Sequence, residues 1–154
     1  MKPDARRRST EPLALEHFLP YRLSVLSNLI SGRIAKSYED RFQLTIPEWR
    51  VMAVLGRFPG LTAAEVRERT AMDKVQISRA VSRLHKMGRI DQRIVEGDRR
   101  ARHLYLSEDG LEVYAQIVPL ARHYETKATL PLSASERNQL DRLLDKLAAA
   151  ARSL

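Results

Sequence analysis

Apolar residues along this chain recur mostly at three- and four-residue steps, the spacing that lines one face of a helix. Leu19, Leu23, Leu26, Ile30, Ile34, Tyr38 and Phe42 form a first stripe and predict one long helix from about Leu13 to Phe42. Pro20 falls early in it, so the regular part begins near there. A helix of that length predicts packing on another subunit. Three capping boxes follow. Thr45-Ile46-Pro47-Glu48, with Leu44 and Trp49 at the staple positions, opens a helix that buries Trp49, Met52, Ala53 and Leu55 and ends at Phe58-Pro59-Gly60. Thr62 with Glu65, stapled by Leu61 and Val66, opens a short helix ending near Thr70. Asp73 with Gln76, stapled by Met72 and Ile77, opens a third, which buries Ile77, Ala80, Val81, Leu84 and Met87. Gly88 supplies the left-handed residue that ends it. Capped helices joined by such short turns predict a compact tri-helical unit.

The period then changes. Ile90 to Val95 and Arg102 to Leu106 read as strands around a tight turn, Glu96 to Arg102, that contains Gly97-Asp98, so a hairpin is expected. Ser107 opens a second long helix, to about Ala128, stapled by Leu106 and Leu111, with Leu111, Tyr114, Ile117, Val118 and Ala121 on its apolar side. Pro119 removes a backbone donor and is expected to kink it. Pro131-Leu132 breaks the chain, and Ser133 with Glu136 caps a final helix striped by Leu140, Leu143, Leu144, Leu147 and Ala151. The expected fold is mainly α with a small β-hairpin wing, a winged helix-turn-helix. Its parts are a flexible basic arm (1–11), an N-terminal helix (12–44) whose length suits dimerisation and to which the family resemblance given below adds effector binding, a winged helix-turn-helix unit for DNA (45–106) and C-terminal dimerisation helices (107–154).

Charge narrows the partner class. The chain carries a formal +8 with a pI near 10.2, a balance that favours nucleic acid or another anionic surface. Nine Lys/Arg against four Asp/Glu fall between Asp73 and His103. With no cysteine, disulfides and thiol chemistry are excluded. The four histidines (His17, His85, His103, His123) have no ligand spacing, so neither a metal nor another cofactor is expected. There is no glycine-rich phosphate loop and no Ser–His–Asp spacing, and the chain reads as a non-enzyme. No apolar run approaches the ~20 residues that span a bilayer. The arginines near the start suggest an export signal, but Glu11, Glu16, His17 and Arg22 interrupt any apolar segment, so a cytoplasmic protein is expected.

The third capped helix holds the clearest chemistry. With Ile77, Val81 and Leu84 turned inward, Lys74, Gln76, Ser78, Arg79, Ser82, Arg83 and Lys86 are left for solvent or a major groove. Arginine suits guanine bidentately and glutamine suits adenine. Base contacts are expected near the helix start and phosphate contacts further along. Thr62, at the start of the preceding helix, joins the expected DNA-contacting set. In the hairpin, Arg99 and Arg100 suit the negative potential of a minor groove. Asp98 is expected to hold Arg100 or a neighbour by a charge-assisted bond. The bland counterparts are a solvated basic helix and an ordinary charged hairpin.

Several strings together resemble a known family: a capped helix, a turn, a helix starting Asp73-Lys74, Val75-x-Ile77-Ser78-Arg79-x-Val81-x-x-Leu84, Gly88-x-Ile90, Asp98-x-Arg100, and Leu106-Ser107-Glu108-Asp109-Gly110 opening a long helix. They are similar to the multiple-antibiotic-resistance-regulator (MarR) family of winged helix-turn-helix repressors, over roughly residues 15–150. The resemblance implies a homodimer held by the first helix and the last two, a near-palindromic double-stranded operator, and a small effector that alters DNA affinity. LPYRLSVLSNLI and LTIPEWRVMAVLG look like a branch that regulates aromatic-acid catabolism and senses the acid or its coenzyme A thioester. In that fold the effector cavity lies where the first two helices meet the long fifth one. His17, Tyr21, Arg22, Trp49 and Arg50 are the candidates to line it, since an aromatic acid needs a flat apolar wall and a cation. Trp49 serves equally as a core staple, and His17 and Arg22 as surface or dimer-face groups. The expected function is a repressor released by a small aromatic ligand. A ligand-independent architectural DNA-binding protein and a protein-interaction module remain as alternatives.

Overall fold

The computed structural model describes residues 11–154. The expected basic arm lies outside the described residues except for Glu11. After a 3₁₀ turn, Leu15–His17, the elements are α1 (Leu19–Ala35), α2 (Glu39–Phe42), α3 (Ile46–Arg57), β1 (Leu61–Thr62), α4 (Ala63–Thr70), α5 (Lys74–Lys86), β2 (Ile90–Val95), β3 (Asp98–Leu106), α6 (Glu108–Thr129) and α7 (Ala134–Ala151).

The single first helix expected from Leu13 to Phe42 is in fact three pieces. Pro20 does sit in the first turn of α1. The unexpected break comes at 36–38. There the amides of Ser37 and Tyr38 bond carbonyls only three residues back, at Ile34 and Ala35, and the Ser37 hydroxyl also donates to the Ile34 carbonyl. Such tightening ends a helix. The turn swings Tyr38 and Phe42 into the core while Leu19, Leu23 and Leu26 stay exposed. One sequence stripe therefore serves two surfaces. Gln43 then takes a left-handed conformation, φ 56°.

All three boxes form in the tri-helical unit, each with reciprocal side-chain and backbone bonds. They set three short helices around one core, in which Val51, Met52, Leu55, Val66, Ile77 and Leu84 are almost fully enclosed. In α3 the buried positions are Val51, Met52 and Leu55; Ala53 and Trp49 are only half-buried. The polar residue Glu48 is also buried there.

The sheet is antiparallel with strand order β1-β3-β2. Leu61 pairs with Leu104 through the two-residue β1, an element the alternation pattern did not reveal. The hairpin is tighter at its loop than expected and longer in β3. Only Glu96 and Gly97 lie between the strands, with Gly97 at φ 95°. The expected turn residues Asp98, Arg99, Arg100 and Ala101 belong to β3, ahead of Arg102, the expected start of that strand.

Ser107 caps α6 by accepting from the Gly110 amide and donates its hydroxyl to the Gly88 carbonyl. The buried positions of α6 are Gly110, Val113 and Ile117, whereas Leu111, placed in the apolar stripe from sequence, is exposed. The phase is set by Gly110, where a Cβ would collide with the Arg89 carbonyl. Pro119 lies inside α6, which continues to Thr129. The Ser133 box caps α7, and none of its residues is buried.

Candidate nucleic-acid interface

Helix α5 divides cleanly into two faces. Ile77, Ala80, Val81 and Leu84 are buried; Lys74, Gln76, Ser78, Arg79, Ser82, Arg83 and Lys86 are exposed. The Asp73 box fixes the start of the helix: the Gln76 amide donates to Asp73 Oδ1 at 2.8 Å, and Gln76 Oε1 accepts from the Asp73 amide at 3.2 Å. The side-chain NH₂ of Gln76 stays available as a donor. Lys74, Arg79 and Lys86 form no ion pair among the described residues. Arg83 differs: it lies 3.5 Å from Glu48 Oε1 and donates to the Gln43 carbonyl at 3.2 Å.

Two concavities flank this helix. One, of about 700 Å³, runs between α4 and α5 to β2 and is bordered by Lys74, Ser78, Ser82 and Lys86. Arg67, His85 and Gln92 also line it. The sequence reading passed over these three. Arg67 was detectable, because it follows Ala63 by four residues and so shares its helix face. The other concavity, on the far side of α5, is bordered by Arg79 and Arg83. Thr62 is at the start of α4 but its polar atoms are occupied. Its hydroxyl oxygen accepts from the Glu65 amide, and its own amide and hydroxyl donate to Glu65 Oε2. Those two bonds hold the Glu65 carboxyl below the usual range, the backbone bond contributing most.

The wing tip carries a register shift. Ile94 faces Arg102 but Val95 faces Asp98, so Arg99, Arg100 and Ala101 fall in the irregular stretch. Arg99 and Arg100 are exposed. Asp98 braces this stretch through a neighbour of Arg100, the second of the two partners expected from sequence, and not through Arg100 itself. Its Oδ1 accepts from the Ala101 amide at 3.3 Å, because the local fold brings that backbone donor within reach. Its Oδ2 lies 3.8 Å from Nε2 of His103. His103 Nδ1 sits 2.8 Å from the Gly60 carbonyl, which only accepts, so the proton is on Nδ1.

The five effector candidates are not brought around one cavity. His17 lies in the 3₁₀ turn, and Tyr21 and Arg22 in the first turns of α1, all exposed. Trp49 is half-buried between Tyr38 and Tyr114, with ring centroids 5.8 and 5.9 Å away. Arg50 is half-buried beside it. The Tyr38 hydroxyl is pushed up to about 12, chiefly by burial and then by Glu39, with Arg50 opposing and Glu48 adding to the rise. A cavity of about 360 Å³ does lie between α1 and α6, lined by Ile30, Ile34, Val118 and Arg122 among others, and by none of the five.

A tri-helical unit with a helix presented on one side and a three-stranded wing behind it defines a winged-helix DNA-binding protein. Residues 42–101 match the model of the MarR family. The transcriptional regulator HosA of Escherichia coli O127:H6 is 23% identical over 122 residues, which is 79% of this chain and 90% of the relative. The MarR/EmrR family transcriptional regulator from Acinetobacter sp. ADP1 superposes with a TM-score of 0.83 at 23% identity, covering 91% of this chain and 99% of the neighbour. The PcaV transcriptional regulator from Streptomyces coelicolor, in complex with its natural ligand, superposes with a TM-score of 0.71 at 28% identity, covering 93% and 95%. Over residues 42–101 the chain is thus similar to MarR family transcriptional regulators. That family consists of regulators rather than enzymes. No helix among the described residues is long and apolar enough to cross a membrane.

Proposed function

We propose that this protein is a homodimeric, cytoplasmic repressor that reads a near-palindromic operator with α5 and is released by a small aromatic ligand. The observation that carries the DNA reading is the solvent face of α5, with Lys74, Arg79 and Lys86 unpaired among the described residues and the exposed Arg99 and Arg100 on the neighbouring wing. In this reading Lys74, Gln76, Ser78 and Arg79 approach base edges, Ser82 and Lys86 approach phosphates, and Arg99 and Arg100 enter the minor groove beside them. Thr62 and Asp98 contribute by holding α4 and the wing tip in place. The test is selection of a binding site from random duplexes, then titration of selected and random DNA across salt. A specific reader should favour its site by about 10³ or more. Equal affinity for both would instead support the architectural alternative.

Two features support the rest. The leucines of α7 and of the first half of α1 are exposed in the single chain, the condition in which a two-fold copy gains most. Residues 12–44 and 107–154 are accordingly assigned to dimerisation, and 45–106 to DNA. For the ligand, the likeness to PcaV, which is described with its natural ligand bound, supports a small-molecule response. Two regions offer a wall plus a cation: Ile30, Ile34 and Val118 with Arg122 in the α1–α6 cavity, and Trp49 with Arg50 or Arg22, near His17 and Tyr21. DNA titrations with a panel of aromatic acids and their coenzyme A thioesters, on wild type and Trp49→Leu, decide between them. Loss of response with DNA binding kept assigns Trp49. A panel without effect on wild type removes the aromatic reading.

A further inference from the structure

We propose that Arg83 is a positioning residue for α5 and not a DNA ligand, and that the Glu48 carboxylate is the joint tying the pose of α5 to α3. This rests on the reading of α5 as the DNA-reading helix. Glu48 is the charged residue buried among the described residues, 3% exposed. Its two oxygens have separate tasks. Oε2 accepts from the Thr45 amide at 2.9 Å and closes the capping box of α3. Oε1 faces Arg83 Nη1 at 3.5 Å. The same guanidinium donates through Nη2 to the Gln43 carbonyl at 3.2 Å. One side chain of α5 therefore grips the first turn of α3, at Glu48, and the end of α2, at Gln43.

A buried carboxylate is costly unless it is paired. Arg83 cannot swing out toward a phosphate without stranding that charge. Half of its side-chain surface is exposed, which is why its spacing reads as a contact. The apolar side of α5 holds the helix against the core through contacts that are non-directional. The rigid, planar guanidinium fixes what apolar packing leaves loose. The other end of the joint adjoins the start of α2 and α6, because the next residue, Trp49, sits between Tyr38 and Tyr114. Movement of α2 or α6 against the first turn of α3 thus carries the carboxylate, and α5 with it.

The experiment measures affinity for the selected operator and for a random duplex across salt, on wild type, Arg83→Met, Arg83→Lys, Glu48→Gln and the Met/Gln double variant. Arg83→Met should lose about tenfold or more of the operator-over-random ratio, with random-DNA affinity and the salt slope nearly unchanged. Arg83→Lys should restore little of it, since a point charge cannot replace the fork. Glu48→Gln keeps an acceptor for the Thr45 amide, should show the same loss, and should add nothing in the double variant. A salt slope reduced by about 0.9 per half-site, the share of one phosphate contact, would make Arg83 a DNA ligand and overturn the proposal. So would full discrimination in Glu48→Gln. If circular dichroism shows that Glu48→Gln is unfolded, Arg83→Met alone decides, because its half-exposed side chain can be replaced without opening the core. Wild type without operator preference overturns the reading of α5 itself; wild type with preference and Arg83→Met unchanged overturns only the positioning role.

Discussion

The winged-helix unit and the outer helices are built from similar apolar patterns but end in opposite states. Within 44–106, Leu44, Leu55, Leu84, Ile90 and Leu104 are 2% exposed or less. On α7, Leu140, Leu143, Leu144 and Leu147 are 40–49% exposed, and on α1 Leu26 and Leu29 reach 55 and 63%. The first region satisfies its apolar faces within one chain. The second does not, and its leucines have meaning only if something covers them. An exposed apolar stripe of that extent marks an interaction surface, which is the physical ground for the proposed dimer.

The sharpest way to break this contrast is to charge the outer stripe. Leu144→Asp should leave the winged-helix unit folded but reduce the sedimenting species from twice the chain mass to 17.6 kDa. Operator affinity should fall by about 10²-fold or more, because two linked half-sites no longer bind together. A variant that stays dimeric with unchanged affinity would return α7 to solvent and place the dimer contact elsewhere.

A matched pair sharpens the same comparison. Leu84, 0% exposed, fills the core below α5, and Leu84→Ala should cost about 2–5 kcal/mol in denaturant unfolding. The same truncation at Leu147, 41% exposed, should matter little in a dilute monomeric sample and more as concentration rises. Equal, concentration-independent costs would mean that the two stripes are not different in kind.

The two regions were also unequally legible. The central unit was readable almost residue by residue, because capping boxes and staples are local chemistry; Thr45, Thr62, Asp73 and Ser133 all cap as their spacing implies. What escaped was non-local. The break after Ala35 depends on Tyr38 and Phe42 finding the core. The burial of Glu48 depends on Arg83, 35 positions away in sequence, and the two-residue β1 is defined only by its pairing with β3. The DNA face was legible as a set of exposed residue types. That Arg83 is engaged by Glu48 of α3 while Arg79 has no ion pair among the described residues was not, since both occupy the same face of the helical wheel. The effector candidates fared worst: they were drawn from the resemblance, and the five are spread over the 3₁₀ turn, α1 and α3.

Within the DNA-reading region, helix and wing should fail differently. Arg79→Ala should cost about 1–3 kcal/mol per contacted half-site and relax base preference, whereas Arg100→Ala should weaken operator and random DNA more evenly and lower the salt slope. Binding titrations on both duplexes separate the two. A single common factor for both variants would mean that the reading residue is elsewhere.

The smallest expected effect compares two equivalent caps in the two regions. Glu65 and Glu136 both have carboxyls held below the usual range, in each case first by a backbone bond, from Thr62 and Ser133, and then by the hydroxyl of the same residue. Because the folded state prefers the ionised form, each cap contributes fully above the unfolded value, about 4.3. The contribution is lost as pH falls through the lower folded value. The loss should not show equally. α4 is also held by Val66, 0% exposed, and by the pairing of Thr62 in β1 with His103. α7 has no buried residue to replace its cap. In the Leu144→Asp variant, where no partner covers α7, amide hydrogen exchange should therefore lose protection in the turn after Ser133 as the medium is acidified, while the turn after Thr62 stays protected. Simultaneous loss in both turns would show that the packing of α4 adds nothing to its cap, and that the contrast between the two regions does not extend to their helix ends.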